Sequence, residues 1–176
     1  MKRLAGLGCL VAVLLAASGA AAAGMVDQLK AGKLQCYGPN TVRHTCAALS
    51  GYTFGGPKIM NQAEVLISTD PVGTMKTDSP VTFKGDVICG FTSKDDIDNA
   101  VIASEGYVLS EAQAAGVKAQ IWATMASRAG QEFCTTYVPT GGGAYTTRYT
   151  LGGKPDDTPP TTVILVDPKD GYRVAP

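Results

Sequence analysis

The sequence of 176 residues predicts an α+β domain, a mainly antiparallel sheet packed against one long helix and stabilised by disulfides. Three observations carry that reading. Short β-branched and aromatic runs recur, punctuated by turn residues about every ten positions. One stretch, residues 110–130, has helical periodicity together with a start and a stop signal. Four cysteines lie beyond an N-terminal apolar run, and an even count suits two bridges.

The N-terminus has the layout of an export signal. Lys2 and Arg3 precede an apolar run over residues 4–17, and residues 18–23 supply small side chains, with Ala21-x-Ala23 the favoured cleavage site. Residues 4–23 are long enough to span a bilayer, but their second half is mostly Ala, Ser and Gly, which insert poorly. Cys9 lies near the start of the run rather than its end, which argues against a lipid anchor. The expectation is a signal peptide over residues 1–23 and a single domain over residues 24–176. Without Lys2 and Arg3, 13 basic side chains face 15 acidic ones, a net charge of −2. There is no basic run and no second span-length apolar segment, so no nucleic-acid partner and no membrane span after cleavage are expected.

In chain order, residues 24–34 allow a short amphipathic helix. Leu34-Gln35-Cys36-Tyr37 reads as a strand ended by Gly38-Pro39, and Asn40 is placed to cap a helical turn through Cys46. Residues 50–54 and 58–69 read as strands, with Asp70-Pro71 opening the next turn. Residues 73–77 and 80–84 suggest a hairpin around Asp78-Ser79. Residues 87–91 read as a buried strand, followed by a short acidic turn capped at Thr92 and a return to strand over 101–109.

The long helix follows. Ser110 and Gln113 form a capping box, Ala114, Val117, Ile121 and Met125 recur at steps of three and four, and Gly130 is the stop. Residues 132–138 switch to extended chemistry, and Pro139 to Gly143 make a glycine-rich hairpin tip. Residues 145–151 alternate with period two, so Tyr145 and Tyr149 share one strand face and form the candidate ligand face. After a flexible connection over 152–160, residues 161–166 are the clearest strand of the chain, and a turn over 167–171 precedes the tail.

Four cysteines allow three connectivities. Cys36–Cys46 and Cys89–Cys134 are favoured: the first pair brackets a short Gly-Pro-Asn turn, and the second ties the strand before the long helix to the strand after it. No Cys-x-x-Cys suggests redox catalysis.

Chemistry-bearing patterns are sparse. His44 is the sole histidine, and a metal reading would gather Cys36, His44, Cys46 and perhaps Cys89, a spacing that fits no compact ligand signature. A serine triad would need His44 but lacks Gly-x-Ser-x-Gly. Asp95, Asp96 and Asp98 are the densest carboxylates, and in one short turn they read as a solvated helix start. Neither Asp96-x-Asp98 nor residues 167–171 continue into a calcium loop, and Gly141-Gly142-Gly143 lacks the Lys and the following helix of a phosphate cradle. No catalytic residue, metal ligand or cofactor is therefore assigned.

Gln35-Cys36-Tyr37, Thr45-Cys46, Val87-Ile88-Cys89-Gly90, the run from Glu132 to Tyr137 and the tail from Asp170 to Pro176 resemble small exported, periplasmic proteins of alphaproteobacteria. That resemblance implies export and paired cysteines, and it brings no catalytic residue with it. The functional expectation is a non-enzymatic periplasmic or secreted protein that binds an envelope component or a small ligand on its sheet face. The alternatives are an envelope hydrolase using His44 or the acidic residues, and a structural or inhibitor-like module that presents the 139–143 loop.

Overall fold

Period-two segments dominate the chain, and the hydrogen-bond ladders they form lead back to the first strand. The computed structural model of the protein describes residues 24–176; the expected signal peptide, residues 1–23, lies outside the described residues. In chain order, α1 (Met25–Lys30) leads to β1 (Leu34–Tyr37), β2 (Thr45–Cys46), β3 (Ala48–Thr53), β4 (Ile59–Thr69) and β5 (Val72–Lys84). Next come β6 (Val87–Phe91), α2 (Lys94–Asp98), β7 (Val101–Ser104), β8 (Tyr107–Val108) and α3 (Glu111–Met125). β9 (Glu132–Gly141), β10 (Ala144–Leu151), β11 (Lys154–Pro155), β12 (Thr162–Val166) and β13 (Arg173–Val174) complete the chain.

Each of β1, β3, β4, β5, β6, β9, β10 and β12 pairs antiparallel with the next, and β12 pairs back onto β1. The result is a closed eight-stranded up-and-down barrel. This overturns the expected α+β class. Strand accounts for 50% of the described residues and helix for 21%, and the sheet closes on itself instead of lying open under a helix. Period-two patterning is common to open and closed sheets, so it says nothing about whether the last strand meets the first.

Several local expectations also change: Ser93, not Thr92, caps α2, and residues 101–109 are a hairpin of β7 and β8 instead of one strand. The supposed hairpin around Asp78-Ser79 is one continuous strand, β5, paired with β4 from Val72 to Val81. Its other side is taken by β7 over residues 73–76 and by β6 over residues 81–84. Pro80 falls in the one-sided stretch between them, where a sheet tolerates a missing N–H. Residues 41–44 form a tight turn instead of a helix. Asn40 and Thr45 exchange backbone hydrogen bonds of 2.8 and 3.1 Å, and Asn40 Oδ1 accepts from the Arg43 N–H at 3.0 Å.

The two ends of the barrel are closed differently. At one end α1 inserts Met25 and Leu29, 4% and 1% exposed, against Ile88, Tyr137 and Val163, with Phe54, Phe83, Tyr145 and Leu165 around them. Burying Leu29 there stabilises the fold by about 2 kcal/mol. At the other end β4 and β5 run on beyond the barrel with β7, and α2 and α3 cover their inner face through Met75, Ile97, Ile102 and Ala114. The capping box of α3 is present, with Gln113 Oε1 accepting from the Ser110 N–H at 3.0 Å. Lys118 ties the helices together, donating to the Asp98 carbonyl at 2.7 Å and lying 3.1 Å from Glu111.

The sulfurs pair as the sequence favours, Cys36 with Cys46 and Cys89 with Cys134. Cys36 and Cys46 pack with Val166, Leu34, Leu49 and Ile164 in a third apolar cluster. Cys89 and Cys134 are direct cross-strand partners on β6 and β9.

The bridges close segments of 10 and 45 residues, for which chain entropy gives roughly 3 and 4 kcal/mol respectively. Replacing Cys89 and Cys134 together by Ser is therefore expected to cost more stability in urea than replacing Cys36 and Cys46 together. Equal midpoints for the two double variants would contradict this ordering.

Candidate functional site: the barrel lumen

An eight-stranded barrel is just wide enough either to be filled by its own side chains or to hold one small ligand. Here it does both. The half nearest α1 is filled by the apolar cluster around Leu29, whereas the half nearest α2 and α3 keeps a cavity of about 290 Å³. Tyr37, Tyr52, Tyr137, Phe133 and Thr135 contribute to its wall, and Met125 and Ile97 reach it from the helices. The volume equals about ten water molecules at the ~30 Å³ each occupies in the liquid. Two larger grooves of about 520 Å³ are lined mainly by the alternate residues, such as Gln62, Glu64 and Lys76 or Pro80, Thr82 and Phe91.

At the deep end of the cavity lies a polar network centred on Gln35, which is fully buried. Gln35 Oε1 accepts from the Tyr52 hydroxyl at 2.6 Å and from the Tyr37 hydroxyl at 3.1 Å. Its Nε2 donates to Met25 Sδ at 3.4 Å. A thioether accepts and cannot donate, so this contact fixes which way the amide faces. Tyr37 spends its one proton on Gln35; its 2.5 Å contact with the Tyr137 hydroxyl is therefore donated by Tyr137. The protons of Tyr37 and Tyr52 go to one amide oxygen and that of Tyr137 goes to the Tyr37 oxygen, so none of the three O–H groups is left to donate elsewhere.

Burial, the largest cause, holds the Tyr37 and Tyr52 phenols well above their usual value, and the neighbouring Tyr137 pushes both further. Burial raises Tyr137 as well, against the opposing effect of its hydrogen bond with Tyr37. All three are neutral hydrogen-bonding groups near neutral pH. At the mouth, Ser79 Oγ donates to Asp96 Oδ2 at 2.8 Å, which places one carboxylate on the cavity wall.

Tyr145 and Tyr149 share a face of β10, as expected, and that face is the inside of the barrel. Tyr145 packs on the cluster beside α1, and Tyr149 stacks on Phe133 at 5.4 Å. His44 is exposed; its Nδ1 meets the Asp170 carbonyl at 2.9 Å and its ring stacks on Tyr172 at 4.8 Å. Among the described residues no hydrogen bond or ion pair joins His44 to a carboxylate. Asp95, Asp96 and Asp98 sit on α2, where Asp98 pairs with Lys94 at 2.6 Å and Asp96 alone reaches the lumen. The four cysteines are spent on bridges, so neither the Cys36/His44/Cys46 group nor the Cys89/Glu132/Cys134 group offers thiolates to a metal. Of the expected 139–143 loop, Pro139 to Gly141 belong to β9, and only Gly142 and Gly143 turn the chain into β10.

Gln35, Tyr37, Tyr52 and Tyr137 were not singled out as a site by the sequence. Gln35 and Tyr37 do alternate around Cys36, a sign that they share a face. Nothing local shows that this face meets Tyr137, a hundred residues later. Compared with known proteins, the chain matches no family model, no curated protein and no solved structure.

Two outcomes follow from the network. Gln35→Leu strips the acceptor from two phenols and is expected to cost about 2–6 kcal/mol in urea unfolding, at ~1–3 kcal/mol per orphaned group. In that background Tyr52→Phe should cost less than in the parent protein, because the hydroxyl it removes is already unpartnered. Additive losses would show that the groups are not coupled. The second outcome concerns alkali. Above the ordinary phenol value of about 10 the unfolded chain releases protons that the folded chain keeps, so stability falls as pH rises from there through the raised values. Phenolate absorbance from these three tyrosines should appear only together with loss of the near-UV circular dichroism; its appearance in the folded protein near pH 10 would contradict their burial.

Proposed function

We propose that this protein is a periplasmic or secreted binding protein that holds a small, mostly apolar organic molecule inside its barrel. The carrying observation is the division of the lumen: one half is packed by α1, and the other keeps a cavity of about 290 Å³ that ends on three neutral phenols, two of them bonded to a fully buried amide behind them. Apolar walls with a few converging polar groups are what a small-molecule site needs. The walls supply contact area, and the phenol oxygens of Tyr52 and Tyr137 on the wall orient whatever enters. The volume fits one- or two-ring compounds.

Two features support the setting. Two disulfides suit an oxidising compartment. Among the described residues no helix is long and apolar enough to cross a membrane. The role of an envelope-facing loop has less behind it, because residues 139–143 lie at the hairpin end of β9 and β10, whereas the cavity opens beside α2.

The test is a screen of neutral one- and two-ring fragments by NMR, read at the ring resonances of Tyr37, Tyr52 and Tyr137. Binders should shift these signals. Gly90 lies on the lumen wall with ordinary backbone angles, and a Cβ there would meet Val81 Cγ1 at 3.4 Å, an acceptable contact. Gly90→Val should therefore fill part of the cavity and weaken the best fragment by about tenfold or more, while the fold persists. Fragments that shift only residues of the outer grooves, or an unchanged affinity in the variant, would overturn the reading.

A further inference from the structure

The chemistry of the cavity is one-sided, and the asymmetry names a class of ligand. Four inward-facing aromatic side chains, Tyr37, Tyr52, Tyr137 and Phe133, line it, together with one carboxylate, Asp96; among the described residues no lysine, arginine or histidine does. The nearby ammonium groups are committed elsewhere: Lys94 to Asp98 at 2.6 Å and Lys76 to Glu64 at 3.4 Å. Among the described residues the Asp96 side chain accepts from the Ser79 hydroxyl, a neutral donor, and forms no ion pair. A carboxylate on a cavity wall without a cationic partner repels anions and attracts cations.

The deep network agrees in sign. Its phenol protons are spent within it, so it offers phenol oxygens as acceptors and no free O–H. A ligand that meets it well brings donors. Aromatic faces add a third preference, because their negative faces attract an ammonium group within about 6 Å of the ring centre. Walls, floor and mouth each favour the same species.

We propose that the lumen selects a small organic monocation, an amine or methylated ammonium carried on a compact apolar body, with Asp96 as its counter-charge at the mouth. This rests on the lumen-binding reading above and specifies its ligand. Asp96 sets specificity, and the aromatic wall supplies both contact area and cation attraction.

The experiment compares three probes of nearly equal shape: benzylammonium, benzyl alcohol and benzoate. Each is titrated into the purified, oxidised protein by calorimetry, with the ring resonances of Tyr37, Tyr52 and Tyr137 followed in parallel. Benzylammonium should bind at least about tenfold more tightly than benzyl alcohol, benzoate should bind most weakly, and added salt should narrow the amine's lead. Asp96→Asn should cut the amine's lead over the alcohol severalfold, leaving only the part that the aromatic wall supplies. Asp95→Asn removes an equal charge from the same helix at an exposed position off the cavity, and it should keep the preference. Equal binding of amine and alcohol, tighter binding of benzoate, or an amine preference undiminished by Asp96→Asn would each overturn the cation inference while leaving lumen binding in place. If none of the three probes shifts the tyrosine rings, the lumen reading itself fails and this inference falls with it.

Discussion

Closure of the sheet is the constraint from which the other features follow. β1 is four residues long, yet it pairs on one side with β3 and on the other with β12, joining the two ends of the meander. A closed sheet has no edge to protect, and it has an inside that must be dealt with. Gln35 lies on that closing strand, opposite Leu165 on one side and Ser50 on the other. The buried amide therefore sits at the seam, and the phenols of β1, β3 and β9 reach it from three directions.

A buried polar cluster is costly unless each member is satisfied. Here satisfaction is achieved with neutral groups alone. One amide oxygen takes two phenol protons, one phenol takes a third, and a thioether takes an amide hydrogen. Met25 does two jobs, since it also belongs to the apolar plug of α1. The plug that fills one half of the barrel therefore fixes the polarity of the network that faces the other half.

What the sequence reveals and conceals divides along the same line. Local signals were legible: the capping box at Ser110, the period-two face of Tyr145 and Tyr149, and sulfur pairs that bracket plausible turns. The closing contact was not. Residues 34–37 and 162–166 lie at opposite ends of the described chain, and no pattern within either announces the other. The periodic stripe of α3 was legible and misleading, because it suggested a helix layer under a whole sheet. In the fold that stripe serves a satellite cluster with α2 and the overhang of β4, β5 and β7. The turn read at Asp78-Ser79 failed for a related reason. Asp, Ser and Pro together resemble a turn, and only the gap between β6 and β7 explains why a strand accepts them.

The bridges and the lumen are then two aspects of one arrangement. In a strand a slip of one residue sends every side chain to the opposite face. Cys36 stands between Gln35 and Tyr37, so a sulfur held outside the barrel by Cys46 keeps both neighbours turned inward. Cys89 stands between Ile88 and Gly90, and Cys134 between Phe133 and Thr135; their bond fixes β6 against β9 in the register that presents those four residues to the interior. Hydrophobic patterning alone would hold these strands weakly, because the inner face mixes Thr, Gly and Gln with apolar residues. Covalent register on the outside is what lets the inside be polar enough to read a ligand.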